Sequence, residues 1–441
     1  MKKIHITTLG CKVNQYESAS FHSRFEELGH EIVSSGMDTD IIVINTCCVT
    51  GKAGAQSRQA VRRALRQHPQ AEIVVTGCLT ETASTELAAM DELQGRTFSI
   101  IGNGAKDTLV ETALQGKPSL KVLQNPVARQ EKISNLPIRQ FSSRTRAYLR
   151  IQDGCNSFCS YCIVPTTRGR SRSLPIKEVM KQAGIFAGSG YREIIITGIH
   201  VGQYGADLAD ETDIAAILDK LCCSAPTVRF RLSSIEPLEI SDNLLDVMAK
   251  NNNFMPHLHI PLQSGSDDIL LRMNRRYTTD YFAAIVDRCH SRIQNLAIGI
   301  DVLAGFPGET DAHFSETCSF LEELDFTYLH VFPYSRRPGT PAAEFKNHVG
   351  KHKKDERSAH LRQLSDEKKL LFYQKFIGTT RPVLVENSRD DEGNLRGFTD
   401  NYIPVSFAGH DTLKNTVADV RLDTLKKTEV RGTVITENHE R

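Results

Sequence analysis

At 441 residues the chain is too long for one hydrophobic core and predicts two to four domains. Hydrophobic content of 40% and charged content of 24% are those of an ordinary soluble globular protein, and a net charge of +1 excludes a globally basic nucleic-acid binder. Any RNA contact must therefore come from local patches.

The opening stretch, Met1 to Gly10, is too short and too polar in its apolar run for a signal peptide, and no long apolar run follows. We expect a cytoplasmic protein with no membrane association. Eleven cysteines in a reducing compartment are then expected as ligands or buried thiols, not disulfides.

Ile4 to Leu9, Ile41 to Asn45, Ile73 to Thr76 and Phe98 to Ile101 are apolar runs of strand length. Between them, Asn14 to Leu28 and Ala53 to Gln67 have helical composition. The alternation predicts a parallel sheet covered on both faces. Cys11, Cys47 and Cys78 each follow one of these strands, two of them directly after Gly10 and Gly77. Carboxyl ends of parallel strands share one edge, where open α/β folds place ligands, so thiols distant in sequence converge. Independent buried cysteines could also occupy these positions, but the glycines permit the close backbone approach that a bulky cluster needs. Cys47 and Cys48 are adjacent, and spacing does not choose between them. Arg58, Arg62 and Arg66 recur every four residues, as one face of a helix, either solvated or phosphate-binding.

From Gly116 to Ser142 periodicity is lost and Pro118, Pro126 and Pro137 break the pattern, which predicts a linker. Arg139, Arg144, Arg146 and Arg150 then form a basic approach, either solvated surface or phosphate contact. It leads to D-G-C-N-S-F-C-S-Y-C at Asp153 to Cys162, with Cys155, Cys159 and Cys162 spaced C-x3-C-x2-C. Three thiolates in one loop can hold three irons of a four-iron cluster and leave the fourth open. A zinc knuckle would need four ligands in two pairs, and no histidine or fourth cysteine lies close by.

Six strand candidates follow: Tyr148 to Gln152, Glu193 to Thr197, Arg229 to Ser233, His257 to Leu262, Ile298 to Leu303 and Leu329 to Tyr334. The stretches between them are long enough for crossover helices, and the cysteine loop after the first strand puts the site at the carboxyl-terminal face. Arg168, Arg170 and Arg172 could grip an RNA backbone or a cofactor carboxylate, or be solvated. Lys351 to Lys375 is charged and helical, and is expected to strap the barrel. From Gly378 the short runs Arg381 to Glu386, Leu395 to Phe398, Ile403 to Phe407, Asn415 to Leu422 and Glu429 to Thr436 predict a small antiparallel β-barrel. Cys222, Cys223, Cys289 and Cys318 have no ligand spacing and are expected as buried thiols.

The C-x3-C-x2-C loop with Tyr161 before its last cysteine resembles the signature of the radical S-adenosylmethionine (SAM) enzymes. That resemblance implies SAM bound at the open iron and split to a 5'-deoxyadenosyl radical. T-L-G-C-K-V-N-Q-Y-E-S at Thr8 to Ser18, N-T-C-C-V-T at Asn45 to Thr50 and T-G-C-L at Thr76 to Leu79 resemble the three cysteine motifs of the methylthiotransferase amino-terminal domain. There they hold a second four-iron cluster, which implies Cys11, Cys47 and Cys78 as ligands; Cys48 stands where a small or hydroxylated residue is expected. I-T-G-I-H at Ile196 to His200 resembles the glycine motif that meets the SAM methionine. S-S-I-E-P, P-L-Q-S-G-S, G-F-P-G-E-T and F-P-Y-S-R-R-P-G-T resemble further family motifs. Tyr161, Gly198, Ser234, Glu236 and Gln263 are the implied cofactor contacts. The last segment resembles the RNA-binding TRAM domain, although its acids about equal its bases.

The expected fold is α/β. It comprises a parallel-sheet domain over 1–115, a linker over 116–141, a partial (βα)6 radical SAM barrel over 142–376 and a TRAM-like barrel over 377–441. The resemblance implies two [4Fe-4S] clusters and two uses of SAM. One methylates sulfur at the amino-terminal cluster, and the other yields the radical that opens an unactivated carbon to a methylthio group. The G-C-K-V-N-Q-Y-E-S motif is most similar to the branch acting on N6-threonylcarbamoyladenosine at position 37 of tRNA. Other branches act on N6-isopentenyladenosine or a ribosomal-protein aspartate, and an iron-sulfur RNA-binding protein that does not cleave SAM is the reading of a different class. Expected partners are tRNA, a reductant such as flavodoxin or ferredoxin, and a sulfur donor.

Overall fold

The computed structural model describes residues 1–34, 38–93, 95–115, 120–141 and 144–435. Gly116, Pro118, Ser142 and Thr436, which bound or punctuate expected segments, lie outside them.

The first domain runs β1 (Lys3–Thr8), α1 (Lys12–Glu27), β2 (Glu31–Ile32), β3 (Ile41–Thr46), α2 (Gly51–Gln67), β4 (Glu72–Gly77), α3 (Cys78–Ala88), β5 (Phe98–Ile101), α4 (Leu109–Leu114) and β6 (Leu120–Leu123). All strands pair in parallel in the order β2-β1-β3-β4-β5-β6. Every residue of β3 and β4 is buried, which is why these central strands read as unbroken apolar runs.

The expected linker over 116–141 is corrected here. Leu120–Leu123 is the edge strand of the first sheet, and Ile133, Leu136, Ile138 and Phe141 beyond it are buried in the main core. An edge strand with three of its four residues exposed carries no alternation to betray it.

The second domain contains β7 (Ala147–Arg150), the two-residue strands β8 (Gln152–Asp153) and β9 (Arg172–Ser173) that pair with each other, and α5 (Val164–Arg168) between them. It continues with α6 (Ile176–Gly188), β10 (Glu193–Thr197), α7 (Ile214–Ser224), β11 (Arg229–Leu232), α8 (Asp242–Lys250) and β12 (His257–Gln263). Then come α9 (Asp267–Arg272), α10 (Thr279–Arg292), β13 (Ala297–Ala304), α11 (Asp311–Glu323) and β14 (Tyr328–Pro333). The parallel trios β11-β10-β7 and β12-β13-β14 meet through single bridges, Phe230 to Phe254 and Ser234 to His259. Six strands thus form an open half-barrel, as the sequence predicts. One apolar core runs from Tyr16, Phe21 and Phe25 on α1 through Leu149, Ile196 and Leu232 to Ile300, fusing the two domains.

Helix α12 (Lys351–Gln374) lies along β14 as the expected strap. The final domain is a closed barrel of β15 (Thr380–Arg389), β16 (Leu395–Thr399), β17 (Pro404–Phe407), β18 (Val417–Lys426) and β19 (Glu429–Val434). Its pairs are antiparallel except β17 with β19, which closes the barrel in parallel. The turn between β16 and β17 inserts Tyr402 at the amino-terminal mouth of the half-barrel, its ring 4.9 Å from that of His257 and 4.7 Å from the Arg231 guanidinium. Arg146 ties the two domains through Glu193 at 2.9 Å and Glu386 at 2.6 Å.

Candidate active site

Strands β1, β3 and β4 are neighbours, with Thr8 opposite Asn45 and Thr46 opposite Gly77. Cys11, Cys47 and Cys78 therefore leave one sheet edge side by side, as parallel topology dictates. Cys11 caps α1, Cys78 opens α3 and Cys47 precedes α2, so helix amino termini surround the thiols and favour anionic sulfur. Gly10 sits at φ +97°, and a Cβ there would stand 2.6 Å from Cys47 Cβ and 2.8 Å from its Sγ. Gly77, at φ +98°, would drive a Cβ to 2.3 Å from Thr46 O. Both positions need glycine. Asn14 locks the edge by donating to Leu9 O at 2.7 Å and Thr46 O at 2.9 Å.

Burial pushes the Cys11 thiol up and the Cys47 thiol up to about 12, and in each case the neighbouring Cys78 adds to it. Ionised sulfur here needs a metal for countercharge. Among the described residues, the only three His, Cys, Asp or Glu groups with ligand atoms all within 4.8 Å are His259, Asp301 and His330. Neither cysteine triad is that tight, so each suits several irons better than one ion. Cys48 packs with Ile44, Val61 and Leu79 and accepts a hydrogen bond from Thr82 Oγ1 at 3.8 Å. Of the adjacent pair, Cys47 is the one turned towards Gly10 and Cys11.

The second triad lies on the loop after β8. Gly154 allows the turn, since a Cβ there would stand 2.0 Å from Arg170 O. The loop is pinned by Cys155 N to Gly169 O at 3.0 Å, Ser160 N to Met273 O at 3.0 Å and Asn274 Nδ2 to Phe158 O at 3.0 Å. His200, at the end of the I-T-G-I-H motif, places Nδ1 3.2 Å from Cys155 Sγ and Nε2 2.6 Å from Glu239 Oε1. Burial alone would lower this histidine, but its bonds to Cys155 and Glu239 raise it to about 10. Burial likewise works against ionisation of Cys155, and the His200 bond overcomes it and holds the thiol below its ordinary value. Arg275 donates to Cys159 Sγ at 3.3 Å and to Glu236 Oε1 at 3.1 Å.

Four of the five expected SAM contacts lie at or just past strand ends on this face, and Tyr161 lies on the cysteine loop. Gly198 follows β10 and packs against Gln152, whose Oε1 accepts from His200 N at 2.8 Å. Ser234 bridges to His259, and Gln263 takes φ +74° in the bulge that ends β12. Tyr161 packs beside Phe306 and Tyr334. The Glu236 carboxylate is held by Arg275. Gln152, His200, Arg275 and Glu239 escaped sequence reasoning because their roles depend on partners 39 or more positions away; only His200 sat in a quoted motif.

Several basic residues prove internal. Arg168, 1% exposed, bonds Glu17 Oε1 at 2.6 Å, Asp153 Oδ2 at 3.3 Å and Asn14 Oδ1 at 2.6 Å. Arg150, Arg146 and Arg172 also turn inward, so of the two expected basic runs only Arg139, Arg144 and Arg170 remain exposed. On α2, Arg62, Arg63 and Arg66 are exposed and Arg58 pairs with Glu86 at 2.6 Å.

Residues 149–321 match the radical SAM superfamily, and residues 3–97 match a family described as Uncharacterized protein family UPF0004. The chain is 37% identical over 429 residues to threonylcarbamoyladenosine tRNA methylthiotransferase MtaB of Bacillus subtilis, covering 96% of this chain and 94% of that protein. The MtaB of Aquifex aeolicus is 33% identical, covering 92% and 97%. The tRNA-2-methylthio-N(6)-dimethylallyladenosine synthase of Fusobacterium nucleatum is 32% identical, covering 99% and 100%. In fold, the chain resembles the radical SAM methyltransferase TsrM of Kitasatospora setae, with TM-score 0.56 and 15% identity over 78% of this chain and 75% of that one.

Proposed function

The chain belongs to the radical SAM methylthiotransferases, and from that membership we propose that it adds a methylthio group to C2 of N6-threonylcarbamoyladenosine at position 37 of tRNA. The observation that carries the choice of substrate is the 37% identity to an enzyme named for it over 96% of this chain. The cofactors are SAM and two [4Fe-4S] clusters. When bound, they supply one-electron cleavage of SAM and a carbon radical able to take hydrogen from an unactivated carbon.

In this reading Cys155, Cys159 and Cys162 hold the cluster that meets SAM, and Cys11, Cys47 and Cys78 hold the second. Tyr161, Gly198, Ser234 and Gln263 face SAM, and Glu236 acts through Arg275. His200 and Arg275 donate hydrogen bonds to two of the sulfurs, which stabilises their anionic form. The half-barrel and the first sheet flank the site, and the Tyr402 turn covers the opposite, amino-terminal mouth, which shields a reactive intermediate from side reactions. Exposed arginines on α2 offer the tRNA backbone phosphate contacts. A reductant such as flavodoxin or ferredoxin and a sulfur donor complete the requirements. No described helix is long and apolar enough to cross a membrane, and we place the enzyme in the cytoplasm with its tRNA.

The test is anaerobic reconstitution with iron and sulfide, then incubation with SAM, reductant and tRNA bearing threonylcarbamoyladenosine. Appearance of the 2-methylthio nucleoside by mass spectrometry supports the reading. Modification of isopentenyladenosine tRNA alone overturns it.

A further inference from the structure

Along β12, β13 and β14, alternate residues turn opposite ways. Leu258, Ile260, Ile298, Ile300, Val302 and Leu329 join the apolar core under the helices. The other set, His257, His259, Gly299, Asp301, Tyr328 and His330, faces the interior of the half-barrel. In its middle layer His259 Nε2 lies 2.7 Å from Asp301 Oδ1 and His330 Nδ1 lies 3.5 Å from the same oxygen, with the imidazole centroids 4.7 Å apart. The His330 side chain, on the edge strand β14, is 54% exposed.

Lys12 reaches the same space from the other domain. It follows Cys11 at the start of α1, and burial with the charges of Arg231 and Arg146 holds its ammonium below the usual lysine value, while Cys11 and Asp301 oppose them. Three of these four belong to the half-barrel. Among the described residues Lys12 has no ion pair within 4.0 Å and no hydrogen bond from its side chain, and it remains accessible. An unpaired ammonium beside a histidine-aspartate-histidine layer is chemistry for an anionic ligand that also carries a hydroxyl. It is poor chemistry for a metal, because the unpaired Lys12 ammonium would repel a cation.

Resting on the substrate reading above, we propose that Lys12, Asp301 and His330 form the pocket that selects the threonylcarbamoyl substituent. Lys12 pairs with the threonine carboxylate, and Asp301 and His330 exchange hydrogen bonds with its hydroxyl. A dimethylallyl substituent would strip water from these groups and offer no partner in return, which rejects it. The pocket thereby distinguishes two classes of relative that this chain resembles over nearly its full length.

The test uses reconstituted full-length enzyme, normalised to cluster content by iron analysis and visible absorbance. Anticodon stem-loops carry N6-threonylcarbamoyladenosine, its threonine amide or N6-isopentenyladenosine. For the wild type we expect kcat/KM to fall about 10- to 100-fold from acid to amide, the loss of one charged hydrogen-bonded pair. In Lys12→Met that ratio should collapse towards one, with Lys12→Arg restoring much of it, and His330→Phe should weaken acid and amide alike. If Lys12→Met keeps the wild-type ratio of acid to amide, or His330→Phe leaves both values unchanged, the pocket assignment is overturned. If the wild type acts only on the isopentenyl stem-loop, the substrate reading itself fails, whatever the variants do.

Discussion

Arg168 Nη1 stands 2.6 Å from Glu17 Oε1, with both side chains buried at the seam between the first sheet and the half-barrel. Glu17 lies on the helix that Cys11 caps, and Arg168 ends the short helix that follows Cys162. Arg168 also reaches Asp153, two residues before Cys155. The pair thus fixes one cysteine triad relative to the other, and that separation decides where a methylthio group can meet an activated carbon.

Removing either partner should be costly, and unequally so. Glu17 also pairs with Lys106 and lies 3.8 Å from Arg150, so Glu17→Ala leaves three buried cations without their shared anion. Arg168→Ala leaves Glu17 with Lys106 and Arg150. We expect Glu17→Ala to cost about 3–5 kcal/mol in urea unfolding and Arg168→Ala less. Equal losses would show that the network is not centred on Glu17.

Cys47 and Cys48 should part company on substitution. Cys47→Ser should lower iron from about eight to about four per chain after reconstitution. Cys48→Ser should keep both clusters, because that thiol packs with Ile44, Val61 and Leu79. Iron and sulfide analysis reads the difference directly, and loss of a cluster in Cys48→Ser would reverse the assignment.

Gly10→Ala should behave like a ligand loss. The added methyl would lie 2.6 Å from Cys47 Cβ at a backbone φ of +97°, so both contact and strain oppose it. Gly190→Ala serves as the control: φ is +86° there, but nothing lies within 4 Å of the added carbon. We expect Gly10→Ala to lose about half its iron and Gly190→Ala to keep it.

Acid should loosen the barrel at Glu193. Burial alone would raise this carboxyl, but Arg231 at 3.0 Å and Arg146 at 2.9 Å outweigh it and hold it at about 2. The unfolded value is near 4.3, so this stabilisation is complete above that pH and is lost as pH falls towards about 2. The contribution is about 3 kcal/mol. Unfolding free energy measured from pH 5 to pH 2 should fall more steeply for the wild type than for Glu193→Gln; parallel curves would contradict the assignment.

Much of this was legible in the sequence because the signals were local. Continuous apolar runs gave β3, β4 and the half-barrel strands, and Cys-after-strand spacing brought Cys11, Cys47 and Cys78 to one edge once the sheet was parallel. The edge strand Leu120–Leu123 was missed because exposure on both faces leaves no period to read. Arg146, Arg150 and Arg168 read as solvated or ligand-facing charge, since their carboxylate partners Glu193 and Glu17 are distant in sequence. His200, Arg275, Asp301 and His330 acquire meaning only when separate strand ends meet. Which of Cys47 and Cys48 turns to the site likewise needed the backbone direction after β3.

The most direct measurement is mass spectrometry of tRNA nucleosides from cells lacking this protein, complemented with wild type or with Cys155→Ala. The account predicts that 2-methylthio-N6-threonylcarbamoyladenosine disappears, returns with the wild type and does not return with Cys155→Ala. If that nucleoside persists in the deletion strain while its isopentenyl counterpart is lost, the substrate assignment is contradicted.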